Sequence, residues 1–148
     1  GAGFNGKMSE YSAAVGHAAL DARPQLRRRL RERAVHYRQA LSNLDGITLA
    51  PGSETDGAKS TFNVILREAA VEEAKAFMQT QRIEVRQWWS RGCHREPAFE
   101  SSPKAALSVT NDIADRVLGL PFSIDLNAQD IARIRLKLVE FIENTRAG

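Results

Sequence analysis

This sequence has few features that would tie it to an oxidising compartment or to a lipid bilayer. Its 148 residues include a single cysteine, Cys93, so no internal disulfide can form, and this favours a reducing cytoplasm. No apolar run approaches the roughly 20 residues that a membrane-spanning helix needs. No secretory signal peptide opens the chain. We therefore predict a cytoplasmic protein with no membrane partner.

Side chains that bind metals or act as nucleophiles are equally scarce. The three histidines, His17, His36 and His94, are scattered and lack the spacing of a metal-ligand set. Cys93 precedes His94 directly, but adjacent residues seldom place the imidazole on the neighbouring sulfur, and no third group orients the pair. The sequence therefore predicts neither a metal site nor a reactive thiolate.

The net charge of +3 is unevenly distributed. Residues 1–50 carry eight Lys or Arg against four acids, whereas residues 51–148 carry 13 against 14. No aromatic side chains interleave with the arginines as a stacking platform for bases would need. We interpret the basic face as solvated helix surface and predict no nucleic-acid partner. A basic helical nucleic-acid binder stays open as an alternative, which steeply salt-dependent affinity would reveal.

Helical patterns occupy residues 9–44. Ser9 is a suitable N-cap, and the small residues that follow it would let another backbone approach closely. Pro24 either starts a second helix or kinks a continuing one. Asp45 and Gly46 then end the helix in a turn. Two apolar stripes have helical spacing: Tyr11, Ala14, Val15, Ala18 and Ala19, followed by Leu26, Leu30, Ala34, Tyr37, Leu41 and Leu44.

Short extended segments and helices alternate in the middle of the chain. Strands are predicted at residues 47–49, 61–66 and 83–88, and a short extended piece at residues 122–124. Between the second and third strands lies an amphipathic helix, in which Met78 is interpreted as core filling. Its apolar face comprises Val71, Ala74, Phe77 and Met78.

Two further helices are predicted near the C-terminus. Asn111 can cap one that includes Val117 and Leu118 and that ends at Gly119. Asn127 can cap the last helix, with an acid at the third position as in a capping box. The buried stripe of this last helix is predicted to be Ile131, Ile134, Leu138, Phe141 and Ile142.

These elements predict the α+β class, with a short, mainly antiparallel sheet packed with helices. Residues 46–148 would form the small α+β domain, and residues 1–45 the helices that connect it to other parts. Because Met8 is internal and the chain begins within a motif at Gly1, we expect a piece of a longer protein.

The first seven residues, from Gly1 to Lys7, read G-x-x-x-x-G-K, which nearly matches a phosphate-binding P-loop. Met8 stands where a serine or threonine would hold magnesium, so we reject a nucleotide-hydrolysing loop. Glycine, asparagine and lysine ahead of a helix can still approach an anion.

The same stretch resembles a family of pyridoxal-phosphate enzymes, the DegT/DnrJ/StrS-type sugar aminotransferases. That family has a G-x-N-x-[RK]-M loop followed by an alanine-rich helix, and Gly3, Asn5, Lys7 and Met8 fit the loop. The resemblance continues through residues 82–99 and 117–134, so it covers nearly the whole chain. It implies that this chain is the C-terminal small domain of a type I aminotransferase.

The resemblance also implies roles for individual residues. Asn5 would reach the phosphate of the neighbouring subunit's pyridoxal phosphate, with Lys7 supporting it, although Asn5 can also simply hold a turn. Four residues would lie near the sugar nucleotide or the amino-acid donor: Arg86, Trp88, Trp89 and His94. An arginine can grip phosphate or carboxylate and an indole can stack on a sugar. Paired tryptophans can equally fill a core or a subunit interface.

The implied complete enzyme is a cytoplasmic homodimer that moves an amino group from an amino acid, usually glutamate, to a keto sugar nucleotide. Type I enzymes of this kind carry the Schiff-base lysine and the aspartate that pairs with the pyridine nitrogen in an earlier large domain. This chain has no such segment, so we predict that it is inactive alone and contributes no catalytic residue. A non-catalytic interaction module, a remnant of such an enzyme, and a related dehydratase remain alternatives.

Overall fold

Four α-helices and three short strands make up the computed structural model, which describes residues 6–53, 59–88 and 91–147. The helices are α1 (Glu10–Leu41), α2 (Val71–Thr80), α3 (Ser108–Ala114) and α4 (Ala128–Ala147). The strands are β1 (Ile47–Leu49), β2 (Phe62–Leu66) and β3 (Val117–Leu120). Two short 3-10 turns, Cys93–Arg95 and Pro97–Phe99, precede α3. The predicted α+β class is confirmed.

The three strands form one antiparallel sheet in the order β1-β2-β3. In β2, Phe62, Val64 and Leu66 are buried while the residues between them are half-buried, as the alternating sequence predicts. All four residues of β3 are buried. Val64 pairs with Leu49 on one side and with Leu118 on the other, so β2 joins segments that are far apart in the chain.

One hydrophobic core unites the sheet with α1, α2 and α4. Six side chains from these elements have no exposed surface: Tyr37, Val64, Ala74, Met78, Leu118 and Leu138. The Tyr37 ring stacks on Phe62 with 4.7 Å between centroids, and its hydroxyl donates to the carbonyl of Pro121 at 2.6 Å. Burial raises the pKa of Tyr37 above its ordinary range, and Asp130 adds to the effect. The predicted stripe of α4 and the core role of Met78 are confirmed.

The first helix, α1, is continuous, with Pro24 inside it, so the chain does not start a second helix there. Ser9 caps it as predicted, because its Oγ accepts from the backbone N–H of Ser12 at 3.2 Å. Residues 10–28, here called the bare half of α1, are exposed throughout, whereas residues 29–41, the packed half, include all the buried residues of the helix. Only the second predicted apolar stripe therefore reaches the core.

The chain reverses after α1 as the Asp45-Gly46 pair predicts. Gly46 has φ +87°, and a Cβ there would lie 2.6 Å from Cγ2 of Ile142, so the turn depends on glycine. The predicted cap of α4 is also confirmed. Oδ1 of Asn127 accepts from the backbone N–H groups of residues 129 and 130, and Oδ2 of Asp130 accepts from the N–H of Asn127.

Two predictions about the region around β3 are wrong. Val117 and Leu118 do not continue a helix, because α3 ends at Ala114 and the next residues pair with β2. Asn111 lies inside α3 and not at its cap. Local periodicity cannot distinguish a short buried strand from a helix segment, and here pairing with β2 decides.

The third predicted strand, residues 83–88, is reduced to a single bridge between Arg86 and Gly119. Ile83 is buried, but no ladder extends along the rest of the segment. Residues 122–124 likewise join no strand of the sheet.

Candidate functional site

Two of the predicted site residues, Arg86 and Trp88, lie together at the edge of the sheet. The backbone N–H of Arg86 donates to the carbonyl of Gly119 at 2.9 Å, and the N–H of Gly119 donates back at 2.6 Å. This bridge holds the segment along the free edge of β3. A groove of about 220 Å³ opens there, and its lining includes Thr61, Arg86, Trp88 and Phe122.

Arg86 places a cation beside the indole of Trp88. Its guanidinium carbon lies 5.8 Å from the ring centroid, within the range of a cation–π interaction. The same guanidinium pairs with Glu84 at 2.7 Å, but both side chains are mostly exposed, at 63% and 77%. An exposed ion pair is worth little, so Arg86 can exchange Glu84 for an incoming phosphate or carboxylate.

Gly119 allows Trp88 to lie where it does. A Cβ on Gly119 would overlap Cδ1 and Nε1 of the indole and would lie 3.1 Å from the carbonyl oxygen of Arg86. The sequence prediction treated this glycine as a helix end and missed its role. The available signal was a glycine within a short apolar run, which often marks close approach of another chain segment in a sheet.

His94 lies in the first 3-10 turn, Cys93–Arg95, and contacts α3. Its Nε2 lies 2.7 Å from Oδ1 of Asn111 on α3, and Nε of Arg95 donates to the same oxygen at 3.2 Å. The ring packs against Gly92, which has φ +89°. Gly92 and Trp88 both line a second, mainly apolar cavity of about 280 Å³, so the segment of His94 adjoins that of Trp88.

Lys7, the predicted site residue ahead of α1, lies far from this groove. Asn5 and Trp89 lie outside the described residues. Lys7 is exposed ahead of α1, and Glu10 and Tyr37 are 27 residues apart on that helix, a span of about 40 Å. Tyr37 contacts Phe122 of the groove with 6.2 Å between ring centroids. Within this chain, therefore, Lys7 does not belong to the groove.

The lysines of this chain do not by themselves provide a site for the aldehyde group of pyridoxal phosphate. Lys75 and Lys137 pair with glutamates on their own helices, at 2.9 Å and 2.7 Å. Nζ of Lys59 donates to the carbonyl of Gly52, while Lys7 and Lys104 are exposed. A lysine that forms a Schiff base needs an enclosed site that activates its amine. The described residues thus do not fit pyridoxal phosphate as a complete site.

No group of three or more His, Cys, Asp or Glu side chains is placed to hold a metal ion within residues 6–53, 59–88 and 91–147. Over the same ranges, no helix has both the length and the apolar character to cross a membrane.

Comparison with solved structures identifies this arrangement of helices and sheet. The structure of DesI in the presence of its TDP-sugar product aligns with 98% of this chain and 38% of its own, at 29% identity and a TM-score of 0.86. A Bacillus cereus protein assigned as a PLP-dependent aminotransferase aligns with 92% of this chain and 38% of its own, at 27% identity and a TM-score of 0.80. The predicted small aminotransferase domain is therefore confirmed as the fold.

Sequence comparison gives the same result. The dTDP-4-amino-4,6-dideoxy-D-glucose transaminase of Escherichia coli is 28% identical over an alignment of 142 residues, which covers 89% of this chain and 38% of the relative. This chain therefore spans well under half of the relatives that it matches. The profile of one aminotransferase family matches residues 1–139 of the 148. The chain belongs to the DegT/DnrJ/EryC1/StrS aminotransferase family.

Proposed function

We propose that the complete protein is a pyridoxal-phosphate-dependent aminotransferase that moves an amino group from an amino acid, usually glutamate, to a keto sugar nucleotide. This chain would supply the C-terminal small domain of a cytoplasmic homodimer. The observation that carries the proposal is the family match over residues 1–139. The structure of DesI was determined in the presence of its TDP-sugar product, and the Escherichia coli relative is named as a transaminase of a dTDP-linked sugar. Both support a nucleotide-linked sugar as the substrate class.

The groove would form part of the substrate rim. Arg86 offers a guanidinium that can bind a phosphate or carboxylate, and the Trp88 indole beside it offers a face for a sugar or base. Trp89 and His94 would complete this rim, as the sequence predicts. The weak, exposed pair with Glu84 favours this use of Arg86, because a ligand phosphate can displace the carboxylate at little cost.

The start of the chain would serve a different site. Asn5 and Lys7 would approach the phosphate of the cofactor bound by the second subunit. The distance of about 40 Å along α1 between its start and Tyr37 supports this separation, because one subunit's groove cannot include Lys7. The bare half of α1 would pack on the remaining part of the enzyme or on the second subunit, since Tyr11 and Leu20 are 81% and 62% exposed here.

The cofactor, when bound, acts as an electron sink for the amino-transfer chemistry. This chain would bind and orient the substrate, and the lysine that holds the cofactor would come from the missing part. None of its five lysines is enclosed, which supports the prediction that the chain alone is inactive.

The test is to produce the natural protein with whatever precedes these residues and to measure amino transfer from glutamate to a nucleotide-linked keto sugar. A bound-cofactor absorbance together with transfer would support the proposal, and this chain alone should show neither. A natural protein with no lysine at the cofactor position would contradict it and would favour the dehydratase or the non-catalytic alternatives.

A matched pair of variants tests the groove in the complete enzyme. Arg86→Ala should raise the KM for the sugar nucleotide about tenfold or more, because a hydrogen bond to a charged group is lost. Arg133→Ala, on α4 and outside the groove, should leave that KM unchanged. Equal effects of the two variants would contradict the role of Arg86.

A further inference from the structure

The amide of Asn111 has an orientation that its neighbours determine. One of its terminal atoms lies 3.2 Å from Nε of Arg95, which is always a donor. The atom must therefore be the carbonyl oxygen, because the amide nitrogen could not accept that hydrogen bond. In many structures the two atoms of an asparagine amide are interchangeable, but a permanent donor removes the ambiguity here.

This orientation in turn determines the proton on His94. Its Nε2 lies 2.7 Å from the same oxygen of Asn111, so Nε2 must carry hydrogen and donate. In the neutral ring the other nitrogen, Nδ1, then has a lone pair. Among the described residues, none forms a hydrogen bond with that Nδ1. The ring is thus held by one nitrogen while the other stays available as an acceptor.

Gly92 lies close to the Nδ1 edge of His94 and places no side chain there. A Cβ on Gly92 would lie 2.8 Å from both Nδ1 and Cε1 of the ring, so any other residue at that position would crowd this edge. Cγ2 of Thr110 on α3 lies 3.6 Å from the same Cβ position. Glycine at position 92, with φ +89°, therefore lets the backbone lie against this edge of the ring without a side chain.

The charged side chains near His94 form ion pairs with one another. Arg95 also contacts Asp115 at 3.4 Å, and Arg91 contacts the other oxygen of the same carboxylate at 3.4 Å. Asp115 is thereby paired with two arginines. His94 instead makes its hydrogen bond with the neutral amide of Asn111. In the neutral ring Nδ1 can accept from a hydroxyl group but has no hydrogen to donate to a phosphate oxygen, and the Nε2–H already donates to Asn111.

We propose that Asn111 is a positioning residue that holds His94 in the Nε2–H tautomer, so that Nδ1 accepts a hydrogen bond from a hydroxyl group of the substrate. The inference rests on the proposed function for the ligand, a sugar nucleotide, whose hexose and ribose both carry hydroxyl groups. It assigns His94 to a hydroxyl group and leaves the phosphates to Arg86.

The tautomer can be measured on this chain alone by nitrogen-15 chemical shifts of the His94 ring at a pH where the ring is neutral. Wild type should show a protonated Nε2 and an unprotonated Nδ1. Asn111→Ala should give a mixture of tautomers, whereas Asn111→Asp retains an acceptor oxygen and should restore the Nε2–H form. Val109→Ala, an exposed position on the same helix, is the matched control and should behave as wild type.

Kinetics of the complete enzyme test the hydroxyl contact. Asn111→Ala should raise the KM for the sugar nucleotide about three- to tenfold, because one neutral hydrogen bond is weakened. Neither KM for the amino donor nor kcat should change comparably, and Val109→Ala should change none of them. A deoxy substrate that lacks the contacted hydroxyl group should abolish the difference between wild type and Asn111→Ala.

Failure of this inference can be distinguished from failure of the proposed function. A mixed or Nδ1–H tautomer in wild type overturns the inference, whatever reaction the enzyme performs. An unchanged KM for every hydroxyl-bearing substrate in Asn111→Ala also overturns it, even if amino transfer is confirmed. Failure of the proposed function would appear separately, as the absence of amino transfer by the wild-type enzyme.

Discussion

The two halves of α1 have similar apolar spacing but very different surroundings. In the packed half, Tyr37 and Leu41 are no more than 1% exposed, whereas in the bare half Tyr11 and Leu20 are 81% and 62% exposed. An amphipathic pattern therefore predicts a helix and a buried face without saying whether the covering partner belongs to the same chain. The bare half is continuous with a well-packed helix, so it can extend from the core without contacts of its own.

A pair of leucine truncations should separate the two halves most strongly. Leu41→Ala removes a buried side chain from the core and should lower the free energy of unfolding by about 2–5 kcal/mol. Leu20→Ala, in the bare half, should change it by less than about 0.5 kcal/mol. Urea denaturation followed by circular dichroism measures both. Similar losses would show that the bare half is packed in solution, for example by self-association.

The same two leucine variants also test, in the complete enzyme, whether the bare half of α1 is covered. If the bare half is covered there, as proposed, Leu20→Ala should become destabilising, while the cost of Leu41→Ala should stay as it is in this chain. A Leu20→Ala variant that remains neutral in the complete protein would contradict the proposed packing of the bare half.

Two glycines contrast the groove at β3 with the bare half of α1. Gly119→Ala would place a Cβ against the Trp88 indole and should cost about 1–3 kcal/mol by overpacking, with a shift in tryptophan fluorescence. Gly16→Ala lies in the bare half, where nothing is within 4 Å of the added Cβ. It should be neutral or stabilising by up to about 1 kcal/mol, because alanine favours the helix. Unchanged fluorescence in Gly119→Ala would show that the indole lies elsewhere.

The sequence allowed most of the helices and the first two strands to be predicted, because their apolar periods matched their true structure. It failed at Val117 and Leu118, where pairing with the distant β2 overrides a helical pattern. Gly119 was missed for the same reason, since its role depends on Trp88, which is 31 residues away along the chain.

The site residues were predicted by resemblance more than by physics. Arg86 and Trp88 do lie together, and their contact of 5.8 Å could not be derived from a spacing of two residues in an irregular segment. The partner of His94 was assigned a different role, because Asn111 was expected to cap a helix and instead lies within α3. Hydrogen bonds between distant side chains are absent from any local pattern.

Two tyrosine variants should differ less in their free energy of unfolding. Tyr37→Phe removes the hydroxyl that donates to Pro121 at 2.6 Å and leaves a half-buried carbonyl without that donor. We expect a loss of about 1 kcal/mol in the free energy of unfolding. Tyr11→Phe, at an exposed position of the bare half, should have no measurable effect. Equal stabilities of the two variants would show that the hydroxyl of Tyr37 gains nothing from its contact.

The smallest expected effect concerns the ion cluster that fastens the turn after the packed half to the end of α4. Arg146 contacts Asp45 and Glu68, each at 2.8 Å, and its hydrogen bonds lower the pKa of both carboxyls. A carboxyl whose pKa is lower in the folded state binds fewer protons there than in the unfolded state. Its contribution to stability is thus complete above the unfolded pKa, near 4, and is lost as the pH falls through the folded pKa.

Arg146→Gln should therefore reduce stability at pH 7 and make little difference at about pH 2, where both carboxyls are protonated. Because the groups are exposed and screened by solvent, the gap between variant and wild type should be small and should shrink further at high salt. Arg23→Gln, in the bare half, is the matched control and should leave the pH dependence of the wild type unchanged. A gap that persists at acid pH would assign the effect of Arg146 to packing of its aliphatic stem, since that contribution does not titrate.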